Sequence, residues 1–301
     1  MKKFIVVIAG PTGIGKTNLS VFLAKKFNTE IISFDSRQFY KEISIGTNVP
    51  SKYFRKEVKH HFIQNISISN SYSIGKYEKD ALKTIKKIHE KKNVIIMVGG
   101  SGLYLDAIIH GLDSFPKIKK KNELYEHYRI NGIEYLKKKL KELDENYYDK
   151  VDTNNPQRLI RAIEVCIASD KTYSSYLTHT KKKRKFDVIK IILQEERNIL
   201  YERINHRVDK MIKKGLIHEV SKNTKYRKYN SLNTIGYKEI FEYLDGNQSL
   251  LGAVEKIKRN TRRYAKRQIT WFKKYKSNSL FTKRDKKKIL NFILEKMKNQ
   301  F

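Results

Sequence analysis

The 301-residue sequence contains a single cysteine, four prolines and comparatively few acidic residues. One cysteine, Cys166, excludes an internal disulfide and any cysteine-rich zinc site. Because Cys166 lies in an apolar stretch with helical spacing, we expect it to be buried and inert. No apolar run approaches the ~20 residues of a membrane-spanning helix, and the short run at the N-terminus leads directly into a glycine-rich loop. The sequence therefore predicts a cytoplasmic protein with no cleaved leader and no membrane partner.

Acidic residues are outnumbered by basic ones, with 31 Asp and Glu against 65 Lys and Arg, which gives a formal net charge of +34. A charge of this size favours a polyanionic partner such as nucleic acid. The chain is also rich in lysine, isoleucine and asparagine throughout, so compositional drift explains the total charge equally well. The places of individual basic residues in the sequence are needed to distinguish between these two explanations of the charge.

Near the N-terminus the chain matches the phosphate-binding pattern G-x-x-x-x-G-K-[ST] at residues 10–17. An apolar strand, residues 4–9, precedes the pattern, and a predicted helix, residues 18–27, follows it. In this context glycines let backbone N–H groups point inward, while the helix dipole adds positive potential. Lys16 supplies a cation, and the hydroxyl of Thr17 suits Mg²⁺. The pattern is the P-loop of ATP-binding and other nucleotide-binding proteins, and it predicts a phosphate-rich ligand held by Gly10, Pro11, Thr12, Gly13, Ile14, Gly15, Lys16 and Thr17.

Two further predicted strands end in polar or glycine-rich loops. Residues 30–40 form a strand and a polar loop, and residues 93–104 form a buried strand with a glycine-rich end. Because ligands gather at the carboxyl ends of parallel strands, we expect Asp35 and Ser101 to lie near the P-loop. Neither residues 93–104 nor the strand predicted at 187–193 supplies the strand-end Asp with which nucleotide-hydrolysing enzymes hold Mg²⁺. An ordinary ATPase or GTPase is therefore disfavoured.

The segment between these strands carries a histidine pair. Residues 46–70 are expected to be irregular and residues 73–90 to be helical. His60 and His61 have no third His or Cys nearby, so contact or packing roles are favoured over a metal site.

The composition changes at Pro116, where a helical, strongly charged stretch begins. We predict an α/β fold in which a P-loop NTPase-like core with a parallel sheet, residues 1–115 and 187–301, carries a helical insertion domain, residues 116–186. Within the insertion, Asn155 and Pro156 are typical of a helix start. The polar side of that helix carries Gln157, Arg158 and Arg161, for which contact with phosphates is a hypothesis beside that of a solvated face.

Two basic helices are predicted after residues 187–193. Arg203 and Arg207 are four positions apart, so both can face one ligand, and we choose Arg207 as a phosphate clamp because a guanidinium can bind phosphate with two hydrogen bonds. The helix at residues 258–274 combines Lys266 and Arg267 with aromatic residues. Such a helix suits contact with an RNA backbone, and binding to a membrane surface is the alternative.

In chain order these segments resemble one family, the bacterial tRNA dimethylallyltransferases, over nearly the whole chain. The matching segments are residues 10–17, 35–36, 46–47, 99–104, 155–161, 207–211, 235–237 and 266–272. The resemblance implies transfer of a dimethylallyl group from dimethylallyl diphosphate to N6 of the adenosine 3′-adjacent to the anticodon, position 37, giving N6-isopentenyladenosine and diphosphate. It also implies a mobile helical insertion that closes on the tRNA, and a monomeric enzyme.

The resemblance also implies roles for individual residues. Asp35 becomes the general base, with a structural cap or an outer-shell Mg²⁺ ligand as the alternative. Thr12, Lys16 and Arg207 hold the diphosphate, and Thr17 holds Mg²⁺. The resemblance further implies that these residues contact the anticodon stem-loop of tRNA: Asp35, Ser36, Arg37, Gln38, Ser101, Gln157, Arg158, Leu159, Ile160, Arg161, Lys266 and Arg267.

The chain departs from the family pattern in few places. Ser101 replaces the usual threonine and keeps the hydroxyl, and Gln64 replaces a frequent aspartate after the histidine pair. The zinc finger of eukaryotic members is missing, in agreement with the single cysteine. Three other functions stay open: prenylation of free adenylate, a P-loop kinase or NTPase, and non-catalytic RNA binding.

Overall fold

The computed structural model describes residues 2–116, 123–178, 180–275, 280–282 and 284–299. The chain divides into two compact units, one formed by Met1–Ile109 with Lys183–Phe301 and the other by His110–Lys182. The assignment of residues 116–186 to a tRNA-binding insertion domain stays a prediction.

A six-stranded parallel sheet lies at the centre of the first unit. Its strands are β1 (Phe4–Ala9), β2 (Ile31–Ser33), β3 (His60–His61), β4 (Val94–Gly99), β5 (Asp187–Leu193) and β6 (Leu280–Phe281). Their order is β3-β2-β4-β1-β5-β6, and every neighbouring pair is parallel. In register, Ala9 at the end of β1 lies beside Gly99 at the end of β4. The loops after β1 and β4 therefore start side by side at the carboxyl edge of the sheet.

The helices follow in chain order. They are α1 (Lys16–Lys26), α2 (Lys52–Glu57), α3 (Ile74–His89), α4 (Gly102–Ile109), α5 (Glu123–Leu143), α6 (Glu145–Tyr148), α7 (Pro156–Ser169), α8 (Arg197–Lys213), α9 (Leu216–Lys222), α10 (Tyr237–Leu244), α11 (Leu250–Phe272) and α12 (Lys286–Lys298). Helices α5 to α7 belong to the second unit and the others to the first. The predicted α/β fold with a parallel sheet is confirmed.

Both faces of the sheet are covered, which explains why β1 is apolar at every position. Phe4, Val6 and Ile8 pack with α1, α8 and α12, whereas Ile5 and Val7 pack on the other face with α3 and α4. A third apolar cluster joins α8, α9, α10 and α11. The basic helix α11 therefore belongs to the core of the first unit.

The prediction that residues 46–70 are irregular is wrong, because this segment contains α2 and β3. The Ser51 hydroxyl caps α2, and β3 pairs with β2 for only two residues, too few to produce a hydrophobic period. His60 Nδ1 lies 2.8 Å from the carbonyl oxygen of Val58, and His61 Nε2 lies 2.5 Å from Glu30 Oε2. The two histidines pack and pair within the sheet edge, as predicted.

The second unit is helical. The side chain of Asn155 accepts the N–H of Arg158 at 3.3 Å, which makes it the cap of α7, with Pro156 in the first turn. Helix α5 bends at Gly132, whose φ is 69°. Cys166 is buried, as predicted, and burial raises the pKa of its thiol. Over the described residues of both units, no helix is long and apolar enough to cross a bilayer.

Candidate functional site

The P-loop connects the end of β1 to the first turn of α1. Gly10 has φ of 145°, and a Cβ atom placed there would lie 2.8 Å from the carbonyl oxygen of Leu193. Gly13 and Gly15 also have positive φ, 82° and 101°. The loop can therefore approach β5 and curl toward the start of α1 only with glycine at these positions. Its backbone N–H groups and the N-terminus of α1 form a cradle that can bind an anion.

Lys16 lies inside this cradle. Its ammonium donates hydrogen bonds to the carbonyl oxygens of Gly10 and Pro11, at 2.8 and 2.9 Å. Burial lowers the pKa of Lys16 to about 8; the charge of Asp35 opposes this effect, and that of Arg207 adds to it. The ammonium is thus poorly solvated, and an anion placed beside it would stabilise its charged form.

Arg207 reaches the same loop from α8. Its guanidinium donates to the hydroxyl of Thr12 at 2.7 Å, and burial lowers its pKa to about 10 against the opposing charge of Asp35. Even so, Arg207 is protonated at neutral pH. Arg203, one turn earlier, pairs instead with Glu195 at 2.7 Å. An acidic neighbour thus holds Arg203, while Arg207 contacts the P-loop; that both arginines can face one ligand stays a prediction.

Asp35 follows β2, at the same edge of the sheet. Its backbone N–H donates to the hydroxyl of Ser33 at 3.2 Å, and its Oδ1 accepts the N–H of Arg37 at 3.2 Å. The carboxylate is only partly exposed and interacts electrostatically with both Lys16 and Arg207. The side chain of Asp35 thus interacts with two basic groups of the site, and a carboxylate at this position can act as a general base.

Two serines connect the loops after β2 and β4. The backbone N–H of Ser36 donates to Ser101 Oγ at 3.2 Å, and the two hydroxyls lie 3.3 Å apart. Tyr264 of α11 forms a hydrogen bond with Ser101, and its pKa is raised to about 12, mainly by burial and then by the charge of Asp35. The structure therefore brings Ser36 and Ser101 together with Asp35.

The next two predicted RNA contacts are occupied within the protein. The guanidinium of Arg37 donates to the carbonyl oxygens of Asn230, Ser231 and Asn233, at 2.7, 3.2 and 3.1 Å. The amide of Gln38 donates to the carbonyl oxygens of residues 47 and 48, at 3.2 and 3.0 Å. Both side chains hold neighbouring loops in place around Asp35.

Helix α11 contributes a residue that the sequence prediction did not include. Lys266 and Arg267 are exposed, as an RNA-contacting role requires, whereas Gln268 is buried at 5% exposure. Gln268 Oε1 accepts the N–H of Thr12 at 2.8 Å, and its Nε2 donates to the carbonyl oxygen of Gly100 at 2.9 Å. One feature of the sequence could have indicated this role: Gln268 lies on the largely apolar side of the predicted helix, and a buried amide needs hydrogen-bond partners.

The predicted contacts of the second unit all belong to α7. Gln157, Arg158 and Arg161 are exposed, and the Arg161 guanidinium lies 5.6 Å from the centre of the Phe115 ring. The side chains of Leu159 and Ile160 are buried in the apolar core of this unit. Their side chains therefore support the helix, and contact of these two residues with RNA stays a prediction.

The described part of the protein offers few side chains that could bind a metal ion at this site, so the phosphates of a bound substrate would have to supply most of the ligands. Among the described residues there is no group of three or more His, Cys, Asp or Glu side chains that could hold a metal ion. Thr17, in the first turn of α1, offers one hydroxyl oxygen at the end of the P-loop. This donor set fits Mg²⁺, which prefers oxygen and is held largely by phosphates and water in P-loop sites.

Comparisons with known proteins match this chain to relatives of one kind over most of its length. A family model described as "IPP transferase" matches residues 38–275. The tRNA dimethylallyltransferase of Flavobacterium psychrophilum is 48% identical, over 98% of this chain and 99% of that relative. The one from Christiangramia forsetii is 50% identical, over 91% of each chain.

Two solved structures extend the comparison to the fold. The full-length tRNA isopentenylpyrophosphate transferase of Bacillus halodurans is 37% identical with a TM-score of 0.73, over 99% of this chain and 98% of that one. A eukaryotic dimethylallyltransferase acting on tRNA is 29% identical with a TM-score of 0.77, over 90% of this chain and 70% of that one. The chain belongs to the IPP transferase family.

Proposed function

We propose that this protein transfers a dimethylallyl group from dimethylallyl diphosphate to N6 of adenosine 37, 3′-adjacent to the anticodon, in tRNA. The single observation that carries the proposal is the juxtaposition of Asp35 with Lys16 and Arg207 beside the P-loop. Its relatives are named for this reaction and resemble the chain over almost its full length. The activity is therefore that of a tRNA-modifying prenyltransferase.

In this proposal the P-loop holds the diphosphate of the donor. Backbone N–H groups of residues 13–17, the ammonium of Lys16 and the guanidinium of Arg207 surround the position of the leaving group. Charge develops on the diphosphate as the carbon–oxygen bond breaks, and preorganised donors stabilise that charge where water is excluded. Thr12, fixed by Arg207 at 2.7 Å, lies within the same set of donors.

The chemical step requires little beyond alignment and a base. The lone pair of adenine N6 forms a bond with C1 of the dimethylallyl group, and the C1–O bond breaks with its electron pair leaving on the diphosphate. Asp35 accepts the proton that N6 loses. Its interactions with Lys16 and Arg207 support a position of the carboxylate close to the reacting carbon of a bound donor.

We further propose Mg²⁺ as the cofactor, bound by Thr17 and by oxygens of the diphosphate. The fit rests on the hydroxyl of Thr17 at the end of the P-loop. When bound, the ion adds positive charge next to the leaving group and so makes diphosphate easier to expel.

The RNA acceptor is proposed to bind through basic and polar side chains in both units. Lys266 and Arg267 are exposed on α11, and Gln157, Arg158 and Arg161 are exposed on α7. Phosphate contacts of this kind give affinity and position the RNA. Ser36 and Ser101 lie next to Asp35 and are proposed to contact the target nucleotide. A stacked base has to be flipped out before Asp35 can reach its amino group.

The same arguments favour a monomeric enzyme of the cytoplasm. The P-loop, Asp35 and Arg207 all belong to one unit of a single chain, which supports the proposal of a monomer. A tRNA substrate places the reaction where tRNA is found.

The test of the function offers labelled dimethylallyl diphosphate and Mg²⁺ to the purified protein together with one of three acceptors. These are an anticodon stem-loop with adenosine at position 37, the same stem-loop with guanosine there, and AMP. The proposal expects label only in the first. Label in AMP would reassign the protein to prenylation of free adenylate. If no acceptor is labelled and the protein releases phosphate from ATP in a separate assay, it is an NTPase. Binding of the stem-loop without any transfer would leave a non-catalytic RNA-binding protein.

A further inference from the structure

A single buried amide joins the two glycine-rich loops of the candidate site. Gln268 of α11 accepts the N–H of Thr12 from the P-loop and donates to the carbonyl oxygen of Gly100 after β4, at 2.8 and 2.9 Å. Only 5% of this residue is exposed. Both ends of the amide are thus used within the protein, on loops that follow neighbouring strands.

The amide of Gln268 lies directly against Gly100. A Cβ atom at Gly100 would lie 2.2 Å from Gln268 Nε2. The amide therefore fills the space that any other residue at position 100 would need for its side chain. Gly100 and Gln268 form a matched pair, although 168 positions separate them in the sequence.

Thr12 is held from two directions. Its backbone N–H is bound by Gln268 from α11, and its hydroxyl is bound by Arg207 from α8. Thr12 is at the middle of the P-loop, so its orientation affects the direction of the neighbouring N–H groups. Loss of the Gln268 amide would leave the N–H of Thr12 and the carbonyl of Gly100 without these partners, in a partly buried setting.

We propose that Gln268 is a positioning residue for the donor's diphosphate. Its amide holds Thr12 and the loop after β4 at the spacing that the diphosphate requires. The inference rests on the proposed function, because it takes the ligand of the P-loop to be a diphosphate. It assigns to α11 a role in donor binding that is separate from the exposed, RNA-facing role of Lys266 and Arg267.

The test compares Gln268→Ala with the unchanged full-length protein and with Leu251→Ala, an exposed position on the same helix. Calorimetry with pyrophosphate and Mg²⁺ measures diphosphate affinity directly. We expect Gln268→Ala to weaken that affinity by about tenfold, a loss of one to two hydrogen bonds, and to raise the KM for dimethylallyl diphosphate by a similar factor. The affinity of Gln268→Ala for the anticodon stem-loop is expected to stay within about twofold of that of the unchanged protein. Leu251→Ala is expected to keep its affinity for both pyrophosphate and the stem-loop within the same range.

Two further variants keep the test informative if Gln268→Ala folds poorly. Gln268→Glu preserves the shape and the acceptor for Thr12 but loses the donor to Gly100. Gly100→Ala leaves Gln268 in place but forces its amide away. Both are expected to weaken pyrophosphate binding selectively, as Gln268→Ala does.

The outcomes separate this inference from the proposed function. If the unchanged protein fails to bind pyrophosphate, the proposed function itself is wrong. If the unchanged protein binds pyrophosphate and all three variants bind it equally well, Gln268 does not position the donor. Equal losses of pyrophosphate and RNA affinity with a large fall in melting temperature would overturn the inference too, because Gln268 would then only stabilise the fold.

Discussion

The guanidinium of Arg207 donates a 2.7 Å hydrogen bond to the hydroxyl of Thr12, joining α8 to the P-loop. This contact places a cation that keeps its charge at neutral pH beside the proposed diphosphate, although burial lowers its pKa to about 10. Arg207 therefore has a separate role from Lys16, whose ammonium loses its proton more readily.

The first prediction concerns this arginine. We expect Arg207→Ala to lower the kcat of prenyl transfer by about 100- to 1,000-fold, because a preorganised charged donor to the leaving group is lost. Arg207→Lys should restore only part of the rate, since an ammonium cannot form the paired hydrogen bonds of a guanidinium. Steady-state transfer of label to the stem-loop measures both variants.

Arg203→Ala is the matched control, one turn earlier on the same helix. Because Arg203 pairs with Glu195, we expect its loss to change kcat by less than about threefold. If kcat fell strongly with Arg203→Ala and stayed unchanged with Arg207→Ala, the roles assigned to the two arginines would have to be reversed.

The second prediction concerns the pH dependence of donor binding. The pKa of Lys16 is about 8 in the protein without ligand, so the ammonium is mostly charged below this pH and mostly neutral above it. Because diphosphate prefers the charged form, its affinity should fall as the pH rises. We expect dimethylallyl diphosphate to bind about tenfold more weakly at about pH 9 than at about pH 7, since one unit above its pKa the group is about one-tenth protonated.

Lys16→Met is the control for this measurement, because it keeps a long side chain without a titrating group. Its affinity should be weaker at neutral pH and nearly constant up to about pH 9. The interpretation fails if the pH dependence is the same with and without Lys16. Calorimetric titrations without RNA, so that no transfer occurs, provide the comparison.

The third prediction concerns Gly10, whose φ is 145° and where an added Cβ atom would lie 2.8 Å from the carbonyl oxygen of Leu193. We expect Gly10→Ala to lower the free energy of unfolding by about 3 kcal/mol or more, from backbone strain and overpacking together. Gly246→Ala is the control: φ is also positive there, at 76°, but an added Cβ would meet nothing within 4 Å. The free energy of unfolding of Gly246→Ala should fall by only about 1 kcal/mol. Urea unfolding of both variants gives the difference, and equal losses would contradict the proposed contact.

Local patterns predicted most of the elements around the site. The strand at residues 187–193 is β5 with the same bounds, and Asn155 caps α7 as expected. The P-loop pattern carries its own geometry, because its glycines and the following helix are adjacent in sequence. Strand ends then place Asp35 and Ser101 beside it, as the general rule for parallel sheets predicts.

Contacts between distant parts of the chain could not be predicted in the same way. Gln268 meets Thr12 across 256 positions, and Arg37 is bound to carbonyls almost 200 positions away. Helical spacing gave Arg203 and Arg207 one common face but could not show that Glu195 binds the first of them.

The fourth prediction concerns RNA affinity. Lys266 and Arg267 are exposed on α11, so each can neutralise a phosphate. We expect Lys266→Ala and Arg267→Ala each to weaken stem-loop binding and to reduce the slope of log K against log salt by about 1. Arg227→Ala, which removes a guanidinium already paired with Asp245, should leave the slope unchanged. Filter binding at several salt concentrations supplies the slopes; a common slope for all the variants would show that α11 does not contact phosphates.

The most direct test of the account measures single-turnover prenyl transfer by Asp35→Asn, together with its affinity for dimethylallyl diphosphate. The asparagine oxygen can still accept the N–H of Arg37, so the turn after β2 is preserved while the base is lost. We predict that transfer falls by about 100- to 10,000-fold while donor affinity changes by less than about threefold. Transfer at nearly the unchanged rate would contradict the account and leave Asp35 as a structural cap.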